Sequence, residues 1–192
     1  MFAELLRKKI GPIAELSPIQ VSQLEHHYNL LIKWNKVLNL TSLREVEEIV
    51  ERHYCESIFL GMHLPVGRLS IGDVGSGAGF PGVPVAIVHS ECKVSLIESH
   101  QRKSVFLREA TRGIKNIHVL AERVENVNAR FDWVVCRAVR FSEIEKPVSA
   151  MSAQIAILGT EQPPDSRFTW NAPIQLPWGR QRYLWLGTRR ST

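Results

Sequence analysis

The segment Ile71-Gly72-Asp73-Val74-Gly75-Ser76-Gly77-Ala78-Gly79-Phe80-Pro81-Gly82 constrains this chain most: a short apolar run closes on an aspartate and glycines then alternate. Glycine is needed where the backbone turns with positive φ or where a side chain would block a ligand. Four glycines, at 75, 77, 79 and 82, fall within eight residues, more than packing alone requires. A strand that runs straight into such a turn predicts a ligand resting on bare backbone.

The rest of the chain supplies the fold around that turn. Apolar runs at Leu69 to Val74, Val94 to Ile97, Ile117 to Leu120 and Phe131 to Cys136 alternate with segments that can be helical. Near-continuous apolar strands are buried on both faces, which predicts a parallel sheet covered by helices on either side. Ala153 to Leu158 and Tyr183 to Leu186 read as further strands, and Gln162-Pro163-Pro164-Asp165, Pro173 and Pro177 mark loops between them. Upstream, Ser17-Pro18-Ile19-Gln20 has the form of a capping box, opening a helix to about Val37 with a buried stripe of Leu24, Tyr28, Leu31 and Leu38. Ser42-Leu43-Arg44-Glu45 repeats the capping signal before a helix that places Val46, Ile49, Val50, His53 and Ser57 on one face and ends at Gly61. We expect a helical extension over residues 1–66 and an α/β core over 67–192, together one compact domain.

Composition excludes several classes. With 44% hydrophobic and 22% charged residues, the 192-residue chain is that of a soluble globular protein. Its first ten residues carry charge too early for a signal peptide, and no apolar run reaches membrane-spanning length. Cys55, Cys92 and Cys136 lie far apart, which argues against a disulfide framework and a structural zinc site. A monomeric cytoplasmic protein without metal or membrane contact is the expectation. The net charge of +5 is concentrated late, where Arg167, Arg180, Arg182, Arg189 and Arg190 face only Glu161 and Asp165. Such a surface favours a polyanion.

Two cofactors fit the glycine turn. Gly77-x-Gly79-x-x-Gly82 matches a dinucleotide fingerprint, while Asp73-x-Gly75-x-Gly77-x-Gly79 puts a carboxylate at the strand end. A carboxylate there opposes a pyrophosphate but attracts the ammonium and sulfonium of S-adenosylmethionine, which carries no phosphate. Glu98 ends the next strand, where an acidic side chain can accept both hydroxyls of a ribose. Phe80 either lines the ligand site or plugs the core below it.

The chain at this point resembles the bacterial guanine-N7 methyltransferases of small-subunit ribosomal RNA, the glucose-inhibited division protein B family. The resemblance rests on Trp34-Asn35-Lys36, Asn39-Leu40-Thr41-Ser42, Arg52-His53, Ser57, the glycine turn, Glu98-Ser99, Arg102-Lys103, Phe106-Leu107, Arg123-Val124-Glu125 and Arg137-Ala138, and covers about residues 20 to 145. It implies a class I S-adenosylmethionine-dependent methyltransferase with a Rossmann-like, mostly parallel seven-stranded sheet, acting on 16S ribosomal RNA or the small ribosomal subunit. It also implies cofactor contacts at Gly75, Phe80, Glu98, Val124, Glu125 and Arg137, to which the turn itself adds Asp73, Gly77 and Gly79.

Guanine N7 is a neutral nucleophile that sheds no proton, so positioning rather than a general base is required. Arg137, at the carboxyl edge of its strand, suits that role, with Arg123 a second candidate; alternatively Arg137 pairs with Asp132. His53 is either a core histidine or a neighbour of the acceptor base with Arg52 as a phosphate contact, while Trp34 and Asn35 are read as structural anchors. Lys33, Lys36, Arg102, Lys103 and the basic C-terminus would carry RNA affinity. Leu158 stands where the family has a lysine, which leaves open a cofactor-binding RNA module without turnover; an NAD-dependent oxidoreductase is the remaining alternative.

Overall fold

The computed structural model describes residues 1–164 and 166–191. Asp165, one of the residues read as a loop, lies outside them. Helices α1 (Phe2–Ile10) and α2 (Pro18–Leu38) precede a continuous helical segment made of α3 (Val46–Ile49), a π-helical turn (Val50–Cys55) and α4 (Glu56–Met62). The core then alternates β1 (Ser70–Val74), α5 (Gly82–Val88), β2 (Lys93–Ile97), α6 (Gln101–Ala110), β3 (Ile117–Leu120), a short 3-10 turn (Val124–Asn126), β4 (Trp133–Arg137), α7 (Phe141–Met151) and β5 (Gln154–Gly159). Strands β6 (Phe168–Trp170), β7 (Ile174–Gln175) and β8 (Tyr183–Arg189) complete it.

Strand order is β3-β2-β1-β4-β5-β8-β6, with β7 also pairing to β8, giving eight strands among the described residues where seven are expected. The first five are parallel and β8 runs antiparallel between β5 and β6. The two short strands β6 and β7 fall where prolines indicated only loops; at three and two residues they are too brief to show a period. Order reverses beside β1, so its carboxyl end and that of β4 open onto the crevice where such sheets hold ligands.

Ser17 caps α2 as its sequence indicates: the Gln20 N–H donates to its hydroxyl at 3.2 Å and the Ser17 N–H returns to the Gln20 side chain at 2.9 Å. The second capping signal is not used. Helix α3 begins at Val46 with Glu45 before it, and Ser42 makes no cap. Thr41 organises this stretch instead, donating its N–H to the Asn35 side chain at 2.9 Å while accepting the Leu43 N–H at 3.1 Å. Asn35 thus anchors the loop, and Trp34 packs edge-on against Phe106 of α6.

The helices that precede β1 share an apolar core with the sheet. Phe2, Leu6, Leu24, Leu31, Tyr54 and Ile58 share one apolar cluster with Ile71, Leu96, Phe106 and Val135 of the α/β layer, and all but Phe2 are fully buried. A second bond joins the helices to the C-terminal strands. Glu56, fully buried, accepts two hydrogen bonds from Arg182, at 2.5 and 2.6 Å. Breaking a buried pair leaves one charge uncompensated. Glu56→Ala is expected to lower stability by about 3–5 kcal/mol in urea unfolding, and Glu56→Leu combined with Arg182→Met to recover most of that loss.

Candidate active site

The glycine turn is held by its own backbone and by two carboxylates. Gly75 and Ser76 donate their N–H groups to Ile97 at 2.9 and 3.2 Å, which ties the turn to β2. Glu98, nearly buried, accepts the Gly77 N–H at 2.9 Å and the His100 N–H at 2.7 Å, so its carboxylate fixes the loop from the strand beside it. Asp73, wholly buried, accepts the Gly82 N–H at 3.0 Å through one oxygen, and its other oxygen has no protein partner. Burial holds that carboxyl up at about 7. Asp73 therefore lies beneath the turn, tying β1 to the start of α5, with one orphaned oxygen left for a donor that the protein does not supply.

The four glycines divide by cause. A Cβ on Gly82 would meet Leu96 and the Asp73 carboxylate at 2.4 and 2.5 Å, and one on Gly79 would meet Val83 at 2.7 Å and His27 at 3.1 Å. These two let helices approach the turn. At Gly77 a Cβ would meet only the Gly75 carbonyl, at 3.8 Å, so its φ of +57° is what requires glycine, while Gly75 combines a φ of +71° with a Cβ site 2.7 Å from Val139 and Gly79 adds a φ of +92° to its close packing. Gly77 is thus the position with room beside its backbone, and Gly75, although packed on Val139, borders the cavities on both sides of the turn.

That packing contains residues the sequence did not mark. His27 of α2 is fully buried and touches Tyr54 Oη at 2.8 Å and the Ala78 carbonyl at 3.0 Å. A carbonyl only accepts, so His27 Nε2 carries the proton and Nδ1 accepts from the tyrosine. Burial pushes the His27 imidazole down to about 4, which keeps it neutral. Nothing in a lone histidine on an apolar helix face distinguishes this role from ordinary filling; only its meeting with Ala78, fifty-one positions on, reveals it.

Phe80 plugs the core beneath the turn and also borders the cavity beside it. It is nearly buried, packs edge-on against His27 and Tyr54, and stacks on the His53 ring with centroids 4.6 Å apart. His53 is half-buried, contacts Thr41 Oγ1 at 2.7 Å, and is held well below its usual range by burial and then by Arg137. It stands on the π-helical turn, a feature frequent at functional sites. There the Ser57 hydroxyl donates to the His53 carbonyl at 2.5 Å and Arg137 donates to that of Arg52.

Arg137 does not pair with Asp132, whose carboxylate accepts the Ser70 N–H and hydroxyl, both at 2.7 Å. Burial lowers its guanidinium to about 10 against the pull of Glu56. The next residue, Ala138, holds a φ of +53°, a costly conformation for alanine at the edge of the site. Leu158 is buried in register with Arg137, so β5 adds no charge there.

Two cavities flank the turn and share Gly75. One, about 390 Å³, is lined by Thr41, Arg52, His53, Phe80, Lys103 and Arg137, with no carboxylate among its described lining residues. The other, about 220 Å³, is lined by Glu98, Glu122, Glu125 and Glu143 with Arg123 and Val124. The structure thus brings His53 and Arg137 together and places Arg123 on the opposite side, with Val124 and Glu125. No group of three or more metal-ligating side chains occurs among the described residues, and no described helix is long and apolar enough to cross a membrane.

Similarity to known proteins follows the same segments. The family described as rRNA small subunit methyltransferase G matches residues 20–156. The ribosomal RNA small subunit methyltransferase G of Chromobacterium violaceum is 39% identical over 146 residues, 73% of this chain and 68% of that protein. That of Nitrosomonas europaea is 43% identical over 132 residues, 67% of this chain and 60% of the relative. The matched segments thus span about two thirds of those relatives or less. Among solved structures, magnesium protoporphyrin IX methyltransferase of Synechocystis PCC 6803 superposes with a TM-score of 0.60 at 11% identity, covering 92% of this chain and 99% of that one. The ribosomal protein L11 methylase of Lactobacillus delbrueckii gives 0.57 at 14% identity, covering 72% and 79%. At such identities these two likenesses establish the fold.

The raised Asp73 carboxyl has a consequence for stability. Its folded value lies above its unfolded one, so its contribution is complete below about pH 4 and is lost as pH rises toward 7. His27, shifted the other way, gains over part of the same window. The Asp73 contribution is therefore read as a difference. Wild type minus Asp73→Asn, followed by urea unfolding, is expected to fall by up to about 4 kcal/mol from pH 4 to pH 8.

Proposed function

Because the chain belongs to the rRNA small subunit methyltransferase G family, we propose that it transfers a methyl group from S-adenosylmethionine to N7 of a guanine in small-subunit ribosomal RNA. One observation carries this reading: the turn separates an acidic cavity from a cationic one, and both reach Gly75. An acidic wall repels the pyrophosphate of a dinucleotide and suits a nucleoside whose sugar hydroxyls donate to carboxylates. A cationic wall suits an RNA strand.

S-adenosylmethionine supplies, when bound, an electrophilic methyl on a cationic sulfur. The residues of the chain fit it: Gly77 leaves room beside its backbone, Gly75 borders both cavities, Asp73 keeps an orphaned oxygen under the turn, and Glu98 lies on the acidic side. Glu125 and Val124 line the same side and would hold the nucleoside end. On the other side Arg137 orients the acceptor: its donors match guanine O6 or a phosphate while N7 stays free to attack. Its hold on the Arg52 carbonyl positions both arginines at one opening. The His53 ring, kept neutral and stacked on Phe80, extends a flat wall against which a base can lie. No side chain here needs to remove a proton, because N7 attacks as a neutral nucleophile and sheds none.

Gly75→Val is expected to abolish binding of S-adenosylhomocysteine in a calorimetric titration while cooperative unfolding persists. Arg137→Ala is expected to lower methyl transfer to small-subunit ribosomal RNA about 100-fold, the scale of one lost oriented donor, with stability changed by about 1 kcal/mol or less. Unchanged transfer would remove Arg137 from the acceptor side.

A further inference from the structure

The late arginines do not all face the cavity beside the glycine turn. Arg182 is committed to Glu56, and Arg167 and Arg189 lie at the other end of the sheet. There they line a concavity of about 890 Å³ with Lys146, Ser149, Ser166 and Arg190. Among the described residues no carboxylate lines it, and no ion pair engages Lys146, Arg167 or Arg189. Glu145 lies close, and one oxygen of its carboxylate accepts the Ser166 hydroxyl and the Arg167 N–H, the latter at 2.8 Å, which shapes the wall and leaves one negative charge against the basin's cations. Arg189 donates to the Ser149 carbonyl at 2.5 Å, closing the end of α7 and fixing that guanidinium in place. The site is thus a shallow basin of fixed and exposed cations with hydroxyls between them.

Position gives the basin its meaning. Gln154 pairs with Thr188 at this end of β5 and β8, whereas Leu158 pairs with Arg137 at the other. Four residues of strand separate the two levels by roughly 13 Å, more than a Debye length at physiological salt, so cations here add little to the field at Arg137. Their effect on a polyanion has to come from contacts of their own. Arg167 and Arg189 also lie beyond residue 156, where the family match ends.

On the reading that ribosomal RNA is the substrate, we propose that this basin is a second RNA-backbone site, in which Lys146, Arg167 and Arg189 take phosphates of the same RNA whose guanine enters beside Arg137. Contacts of this kind carry affinity and register without reading sequence. The test uses the whole chain and a small-subunit ribosomal RNA fragment lacking the methyl group. In Lys146→Gln/Arg167→Gln, affinity for that fragment is expected to fall about tenfold. The slope of log affinity against log salt should become shallower by about 1.4–1.8 for two lost phosphate contacts. Affinity for S-adenosylhomocysteine should stay unchanged, and Lys146→Arg/Arg167→Lys should restore RNA binding. Equal affinity and equal slope in the double glutamine variant, when wild type methylates the fragment, would overturn the second site and leave the methyl-transfer reading standing. Failure of wild type to bind or methylate the fragment would overturn both.

Discussion

The glycine turn depends on a hydrogen bond made from below, between buried His27 and the carbonyl of Ala78. A loop of glycines has almost no side chains with which to pack, so its shape must come from what grips its backbone. Glu98 grips it from β2 and His27 from α2, and Tyr54 fixes the imidazole by donating to its other nitrogen. The helical extension is therefore part of the site: without α2 the turn would keep its strand but lose its floor. Phe80 completes that floor by touching His27, Tyr54 and His53 at once.

Charge is arranged around the same loop in opposite senses. Carboxylates at 98, 122, 125 and 143 line one side, and guanidinium and ammonium groups at 52, 103 and 137 line the other. Glu56 underlies the cationic side and holds Arg182, so the helices and the C-terminal strands close together on it. On the proposed methyl-transfer reading, this separation would let a nucleoside and a phosphate backbone approach one atom from two directions, each attracted by the wall it meets.

Much of this was legible because it lies in runs or in local spacing. The five parallel strands follow from continuous apolar segments, and the Ser17 cap from its neighbours at 18 and 20. Asp73 was legible as a carboxylate at a strand end, but not its burial beneath the turn, because sequence does not say which way a strand-end side chain points when φ changes sign two residues later. Glycine identity likewise did not separate Gly75, Gly79 and Gly82, whose Cβ sites are filled by neighbours, from Gly77, whose site is not. Ser42 misled since a capping signal is only local, and Thr41 secured the loop by reaching Asn35. The links from His27 to Ala78 and from Glu56 to Arg182 span 51 and 126 positions and left no periodic trace.

The central claim is that this turn presents a methyl group to ribosomal RNA. Transfer of label from tritiated S-adenosylmethionine to small-subunit ribosomal RNA from unmethylated subunits, followed by nucleoside analysis, tests that step. Label in N7-methylguanosine is the expected result. Saturable binding of S-adenosylhomocysteine with no label in the RNA would contradict it and leave a cofactor-binding module in its place.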